Sequence, residues 1–190
     1  MLTAILKKEI IVDKVACRVF GVVVFVILTS LGGFVRVPLP FTPVPLTLQT
    51  FFVLLSGAFL GSGLGFFSQL SYLLVGILGV SVFSGAGSGL LYLCGPTAGY
   101  LVGFTLASFL VGRFITLARN NFLGVFGLLM LGDLILLFCG TIWLKYLLGY
   151  GFFRAFWLGF LPFLPGDIIK ASLAAAIYLR LEPRLKQIFY

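Results

Sequence analysis

The feature that most restricts this chain is a succession of long apolar runs from which charge is almost absent. The first, Val19 to Val35 (VFGVVVFVILTSLGGFV), is long enough to cross a bilayer with help from its flanks. Over the whole chain 61% of residues are hydrophobic, 9% are charged, and the mean hydropathy is +1.21. Soluble domains carry about 25% charged residues. No water-soluble core of this size could hide so much apolar surface. The sequence therefore predicts an all-α integral membrane protein, a single domain over residues 1–190. No A-x-A-type cleavage site follows the first run, so that run is expected to be a retained helix and not a signal peptide.

Proline and glycine divide the remainder. After RVPLPFTPVPLTLQT (36–50), helix two is expected at about Leu46 to Leu60. Helix three runs from about Leu64 to Val80, beyond a tight GSG turn at 61–63. Helix four runs from about Thr97 to Arg113. Helix five runs from about Phe122 to Leu148, after a polar ARNN turn at 118–121. A GYGFFRAFW connection leads into helix six, about Leu158 to Arg180. Pro38, Pro40, Pro43 and Pro45 make the segment after helix one an extended loop, because proline lacks an N–H and disfavours helix at the residue before it. The segment after helix three, residues 82–100, is broken by Gly85, Gly87, Gly89, Gly95, Pro96 and Gly99. Irregular backbone at membrane depth survives only where protein buries it or where it lines a cavity, so both loops are candidates for lids over a site.

Charge placement orients the chain. With the N-terminus inside, the inner segments hold Lys7, Lys8, Lys14, Arg18, Arg113, Arg119, Arg180, Arg184 and Lys186, and the outer ones only Arg36, Lys145 and Arg154. That is the positive-inside bias. Both termini are then cytoplasmic, 1–18 as a lead-in and 181–190 as a tail, and the two long loops are extracellular. The net charge of +8 is read as contact with anionic membrane lipid, with no nucleic-acid partner. There is no histidine, which removes the commonest general base and metal ligand. Cys17, Cys94 and Cys139 are too widely spaced for a zinc site or a disulfide framework, and no metal is expected. GAGSGL at 85–90 lacks the strand, helix and acidic residue of a dinucleotide fingerprint. Neither G-x-S-x-G nor a paired acidic motif supports an enzyme.

Two charges stand out in PFLPGDIIKAS (162–172). Asp167 is expected about nine residues into helix six, about 13 Å deep, and Lys170 shares its face one turn on. A lysine near a helix centre costs roughly 2.5–3.5 kcal/mol on the insertion scale, so it needs a partner, a wet cavity or a ligand. One reading is that the two neutralise each other. The other is that both face a cavity, where Asp167 accepts N–H bonds and Lys170 holds an anionic oxygen. Asp133, mid-membrane in helix five, could pair with Lys170 or join a proton relay; a solitary proton-coupled carrier is the alternative this leaves open. Trp143, Tyr146, Tyr150, Phe153 and Trp157 read as an interfacial belt. Phe41, Tyr92 and Tyr100, in the two loops, are better placed to touch a ligand.

Four stretches, LPFTPVPLTLQT (39–50), GVSVFSGAGSGL (79–90), GPTAGYLVGF (95–104) and PFLPGDIIKASLAAA (162–176), occur in this order in a chain expected to have six helices. By them the chain resembles the BioY family, the biotin-binding S component of energy-coupling factor (ECF) transporters, from about residue 30 to about 180. The resemblance implies six transmembrane helices in the bacterial cytoplasmic membrane. It also implies an outward-facing biotin pocket under the first and third loops, walled by helices four to six. Asp167 would accept the ureido N–H bonds, and Lys170 would meet a polar group of biotin, the valerate carboxylate above all. Thr47 and Gln49 would supply hydrogen bonds, Tyr100 would pack on the ligand or fix its loop, and Gly85 and Gly87 would allow close backbone approach. The chain has no Walker motif and would hold no cofactor; ATP would be hydrolysed by two partner ATPase subunits, working through a transmembrane coupling subunit. Such components commonly carry A-x-x-x-A on helix one. Here VACRVFGVVVFV offers only Ala16 and Gly21, and Asp133 falls where relatives are expected to be apolar.

Overall fold

The computed structural model describes residues 2–118 and 121–189, with side chains described for 14–118 and 121–182. The chain is helical apart from its two loops. The helices are α1 (Leu2–Phe34), α2 (Gln49–Ile77), α3 (Ala98–Ala118), α4 (Phe122–Leu148), α5 (Phe152–Gly159) and α6 (Leu164–Phe189). Four of them are long and apolar enough to cross a membrane, and α5 with α6 makes a fifth span if the bent pair is taken as one. The chain is thus a multi-pass, all-helical membrane protein. Helix five of the sequence reading is α4. Helix one extends further back than expected, since α1 runs through the stretch read as a lead-in. Lys7, Lys8, Arg119, Arg184 and Lys186, used in the charge tally, lie outside the described side chains.

α2 is a hairpin. Gly61 has φ 77° and ψ −179°, a conformation open to glycine and strained for other residues. Beyond it the helix doubles back: Gln49 Nε2 donates to Tyr72 Oη at 2.5 Å, and Gln69 Nε2 donates to Ser56 Oγ at 3.0 Å. In a straight helix residues 49 and 72 would stand about 35 Å apart. The two arms therefore run antiparallel about the expected GSG turn. Small residues let the arms and α3 meet closely. A Cβ on Gly57 would strike the Ser108 backbone, and one on Gly112 the backbone at Gly61. Ser56 and Ser108 hydroxyls meet at 2.9 Å in this contact.

The first loop is a short antiparallel ribbon of β1 (Arg36–Val37) and β2 (Leu46–Thr47), in register Arg36 with Thr47 and Val37 with Leu46. Helix two consequently begins at Gln49 and not at Leu46: the prolines keep the backbone extended up to β2. The second loop is pinned by a bridge between Phe83 and Gly87 and by a 3-10 turn, Leu90–Cys94.

Helix six begins at Leu164, six residues later than the apolar pattern suggests. The cause is a break at Phe160–Phe163, where α5 and α6 meet at 49°. Pro162 sits in the break, and Pro165 lies in the first turn of α6, where its missing N–H breaks no helical bond. Asp167 is therefore not nine residues into a helix but in the first turn of one, its N–H donating to the Phe163 carbonyl at 2.9 Å. A carboxylate there faces the positive end of the helix.

Candidate functional site

Both loops, α3, α4 and the start of α6 enclose a cleft of about 490 Å³, open solvent at its mouth included. Its walls are mostly apolar and aromatic: Val44, Pro45, Tyr92, Tyr100, Leu101, Phe104, Leu136, Leu137 and Phe163. The polar groups are few: Thr47, Gln49, Thr50, Ser84, Thr97, Asp167 and Lys170.

Asp167 (1% exposed) and Lys170 (7%) form an ion pair, as their spacing on one helix face allows. Lys170 Nζ also donates to the Thr47 carbonyl at 3.0 Å and to Thr50 Oγ1 at 2.6 Å. The Thr50 hydroxyl in turn lies 3.4 Å from Asp167 Oδ1. The three N–H donors of the ammonium thus have three protein acceptors, and α6 is locked to the junction of β2 and α2. Asp167 Oδ2 is different: it is buried and has no hydrogen-bond partner among the described residues. Ser84 Oγ, also on the cleft wall, is buried and likewise unpartnered among the described residues. The site therefore presents an anionic acceptor and a hydroxyl inside an aromatic enclosure.

The aromatic residues hold the loops in place. Tyr92 stacks on Phe83 with ring centres 4.8 Å apart and donates to the Ser84 carbonyl at 3.1 Å. Tyr100 donates to the Gly159 carbonyl at 2.6 Å, which ties α3 to the break before α6 while its ring lines the cleft. Gln49 lines the cleft as well, with its amide spent on Tyr72 and on the Thr47 hydroxyl at 3.3 Å. Trp143 Nε1 donates to the Gly95 carbonyl at 2.8 Å, bracing the second loop from α4.

Six of the nine residues singled out from the sequence come together on this cleft: Thr47, Gln49, Tyr92, Tyr100, Asp167 and Lys170. Three do not line it. Phe41 is 56% exposed at the tip of the first loop. Gly85 and Gly87 pack the second loop instead, with the Arg36 guanidinium against the first and the Tyr92 ring against the second. Sequence reading missed Thr50, whose hydroxyl bridges the two charges. Its place at the end of LTLQT was a signal only in hindsight, because its partners lie 117 and 120 positions away. It also missed Ser84 and Thr97, which only the packing of the loops and helices brings to the cleft wall.

A multi-pass helical protein with an aromatic, sparsely polar cleft belongs to a class: membrane proteins with a cleft suited to a small molecule. Comparison with known proteins narrows it. The BioY family profile matches residues 7–187, and the chain belongs to the BioY family. A probable biotin transporter BioY of Pyrococcus horikoshii is 42% identical over 161 residues, 85% of this chain and 93% of that protein. The biotin transporter BioY of Thermotoga maritima is 36% identical over 159 residues, 84% of this chain and 92% of that one. The 2.1 Å crystal structure of an S component for biotin from an ECF-type ABC transporter superposes with a TM-score of 0.85 at 28% identity, covering 93% of this chain and 97% of that one. The chain is therefore a transporter component and not an enzyme, in keeping with its sequence motifs.

Proposed function

We propose that this protein is the biotin-capturing S component of an ECF-type transporter. The observation that carries the reading is the buried, unpartnered Oδ2 of Asp167 in an aromatic cleft of a BioY-family chain. Biotin offers what that cleft lacks. Its cyclic urea has two N–H donors for Asp167 and a carbonyl for a hydroxyl such as Ser84. Its bicyclic thioether suits the walls of Phe104, Phe163, Tyr92 and Tyr100. Lys170 acts first by pairing with Asp167 and aiming it; to reach the valerate carboxylate it must release Thr47 or Thr50.

The two arms of α2, with α1, α3, α4 and α5–α6, supply six crossings of the membrane. The lysine and arginine bias supports a reading with both termini in the cytoplasm and the cleft outside, in a bacterial cytoplasmic membrane. The protein holds no cofactor of its own. Biotin captured outside is released inside with a transmembrane coupling subunit and two ATPase subunits, which supply the ATP chemistry. Family membership favours this over a solitary proton-coupled carrier.

Equilibrium binding of labelled biotin to the purified protein in detergent tests the reading. Nanomolar binding, weakened at least about tenfold (1.4 kcal/mol) by Asp167→Ala, is expected. A folded parent that ignores biotin at millimolar concentration would overturn it.

A further inference from the structure

The cleft is built to treat the two ends of an elongated ligand unequally. Lys170 is paired with Asp167, so both charges stand at one end of whatever the cleft holds. Asp167 is 1% exposed and Lys170 7%, so that end is the enclosed one, and the mouth lies away from it. Biotin carries its cyclic urea at one end and its carboxylate on a flexible chain at the other. With the urea on Asp167, the chain takes the carboxylate away from Lys170 and toward the mouth.

Nothing cationic on the cleft wall receives it there. The three ammonium donors of Lys170 are committed to Asp167, the Thr47 carbonyl and Thr50 Oγ1. Among the described residues the wall holds no second cation. Arg36 is exposed on β1, off the wall, with its guanidinium against Gly85. Lys145 lies 5.2 Å from the centre of the Tyr146 ring and Arg154 4.3 Å from that of Tyr150, and neither lines the cleft. The neutral donors on the wall, the Ser84 and Thr97 hydroxyls, bond an amide or ester carbonyl as they bond a carboxylate. A carboxylate at an open mouth also keeps its water, so it gains little over a neutral group.

The urea end is the opposite case. Asp167 Oδ2 is buried and has no donor among the described residues. A ligand without the urea N–H groups leaves that acceptor unpaired, and an unpaired buried group is the strong form of discrimination.

We propose that the cleft reads the urea end of its ligand and leaves the carboxyl end unread, so that the protein takes carboxyl-substituted biotins, the amides and esters, as well as biotin itself. Larger groups on the amide nitrogen project through the mouth. Lys170 keeps its bonds to Thr47 and Thr50 throughout. The proposal rests on the biotin reading and extends it to a class of ligands.

Competition against tritiated biotin on the purified protein in detergent is the test. The competitors are biotin, biotin amide, an N-alkyl amide of biotin, and biotin methylated on both urea nitrogens. Both amides should compete within about fivefold of biotin, and the urea-methylated compound at least about tenfold more weakly. Lys170→Met should weaken biotin and biotin amide by the same factor. An amide more than about fivefold weaker than biotin in the parent overturns the proposal; loss of that gap in Lys170→Met or in Arg36→Gln then identifies the cation that reads the carboxylate. A urea-methylated competitor as good as biotin overturns the assigned orientation. A folded parent that binds biotin and yet rejects the amides leaves the capture reading standing, whereas one that binds none of the four compounds removes that reading and this proposal together.

Discussion

Replacing Lys170 by methionine separates what the ion pair does for the fold from what it does for the ligand. Methionine keeps a long unbranched stem and removes the ammonium. Three contacts go with it: the pair with Asp167, the bond to the Thr47 carbonyl at 3.0 Å and the bond to Thr50 at 2.6 Å. Asp167 is 1% exposed, so water cannot take over. Breaking one side of a buried pair costs about 3–5 kcal/mol, because the surviving charge is left without compensation. Lys170→Met should therefore lower unfolding stability in detergent by about 3 kcal/mol and weaken biotin binding at least about tenfold. The double variant Lys170→Met/Asp167→Leu is the control. Apolar replacement of a whole buried pair is often neutral or stabilising, so most of the lost stability should return. Binding should not return, since the acceptor is gone. Unfolding titrations of the ligand-free proteins and equilibrium biotin binding give the two readouts. A single variant as stable as the parent, with a double variant equal to the sum of its parts, would refute the reasoning. The pair would then contribute nothing that its burial requires.

Three further substitutions probe how the site is held. Thr50→Val removes the hydroxyl between Lys170 and Asp167, and should weaken biotin binding by about 1–2 kcal/mol, the scale of a hydrogen bond to a charged group, with little change in expression. Tyr100→Phe frees the Gly159 carbonyl and should cost about 1 kcal/mol of stability, read by unfolding, while the ring still lines the cleft. Gly61→Ala puts a side chain where φ is 77°, and should destabilise the α2 hairpin by about 1–2 kcal/mol without altering the affinity of the protein that folds.

Much of the fold was legible because membrane solvent imposes simple rules. The uncharged apolar runs announced α1, α3 and α4, and the limits of α4 were readable to the residue because a polar turn and Gly149 mark its ends. The turn at 61–63 was readable for the same kind of reason: glycine tolerates the positive φ that the reversal requires. The start of helix six was misplaced because apolar residues continue through the break at Phe160–Phe163, and an apolar pattern alone does not report a bend. Phe41 misled because an aromatic in a loop can face either the cleft or the surroundings. Gly85 and Gly87 are close-packed, as glycine allows, but against Arg36 and Tyr92 rather than against the cleft.

By itself the sequence determined the class of protein, the positions of its two irregular loops, and the conspicuous pair Asp167 and Lys170. Each of these follows from local properties: how apolar a run is, where proline and glycine interrupt it, and how costly a charge is in lipid. Only the tertiary structure decided that Thr50 joins the two charges, that Lys170 spends its donors on the protein, and that Asp167 keeps one oxygen free of any donor among the described residues. Those facts depend on which helix faces are brought together across more than a hundred residues or from one helix to another. Close packing at Gly57 and Gly112 fixes one such choice, α2 against α3, where small residues let backbones meet on faces that look equally apolar in the sequence.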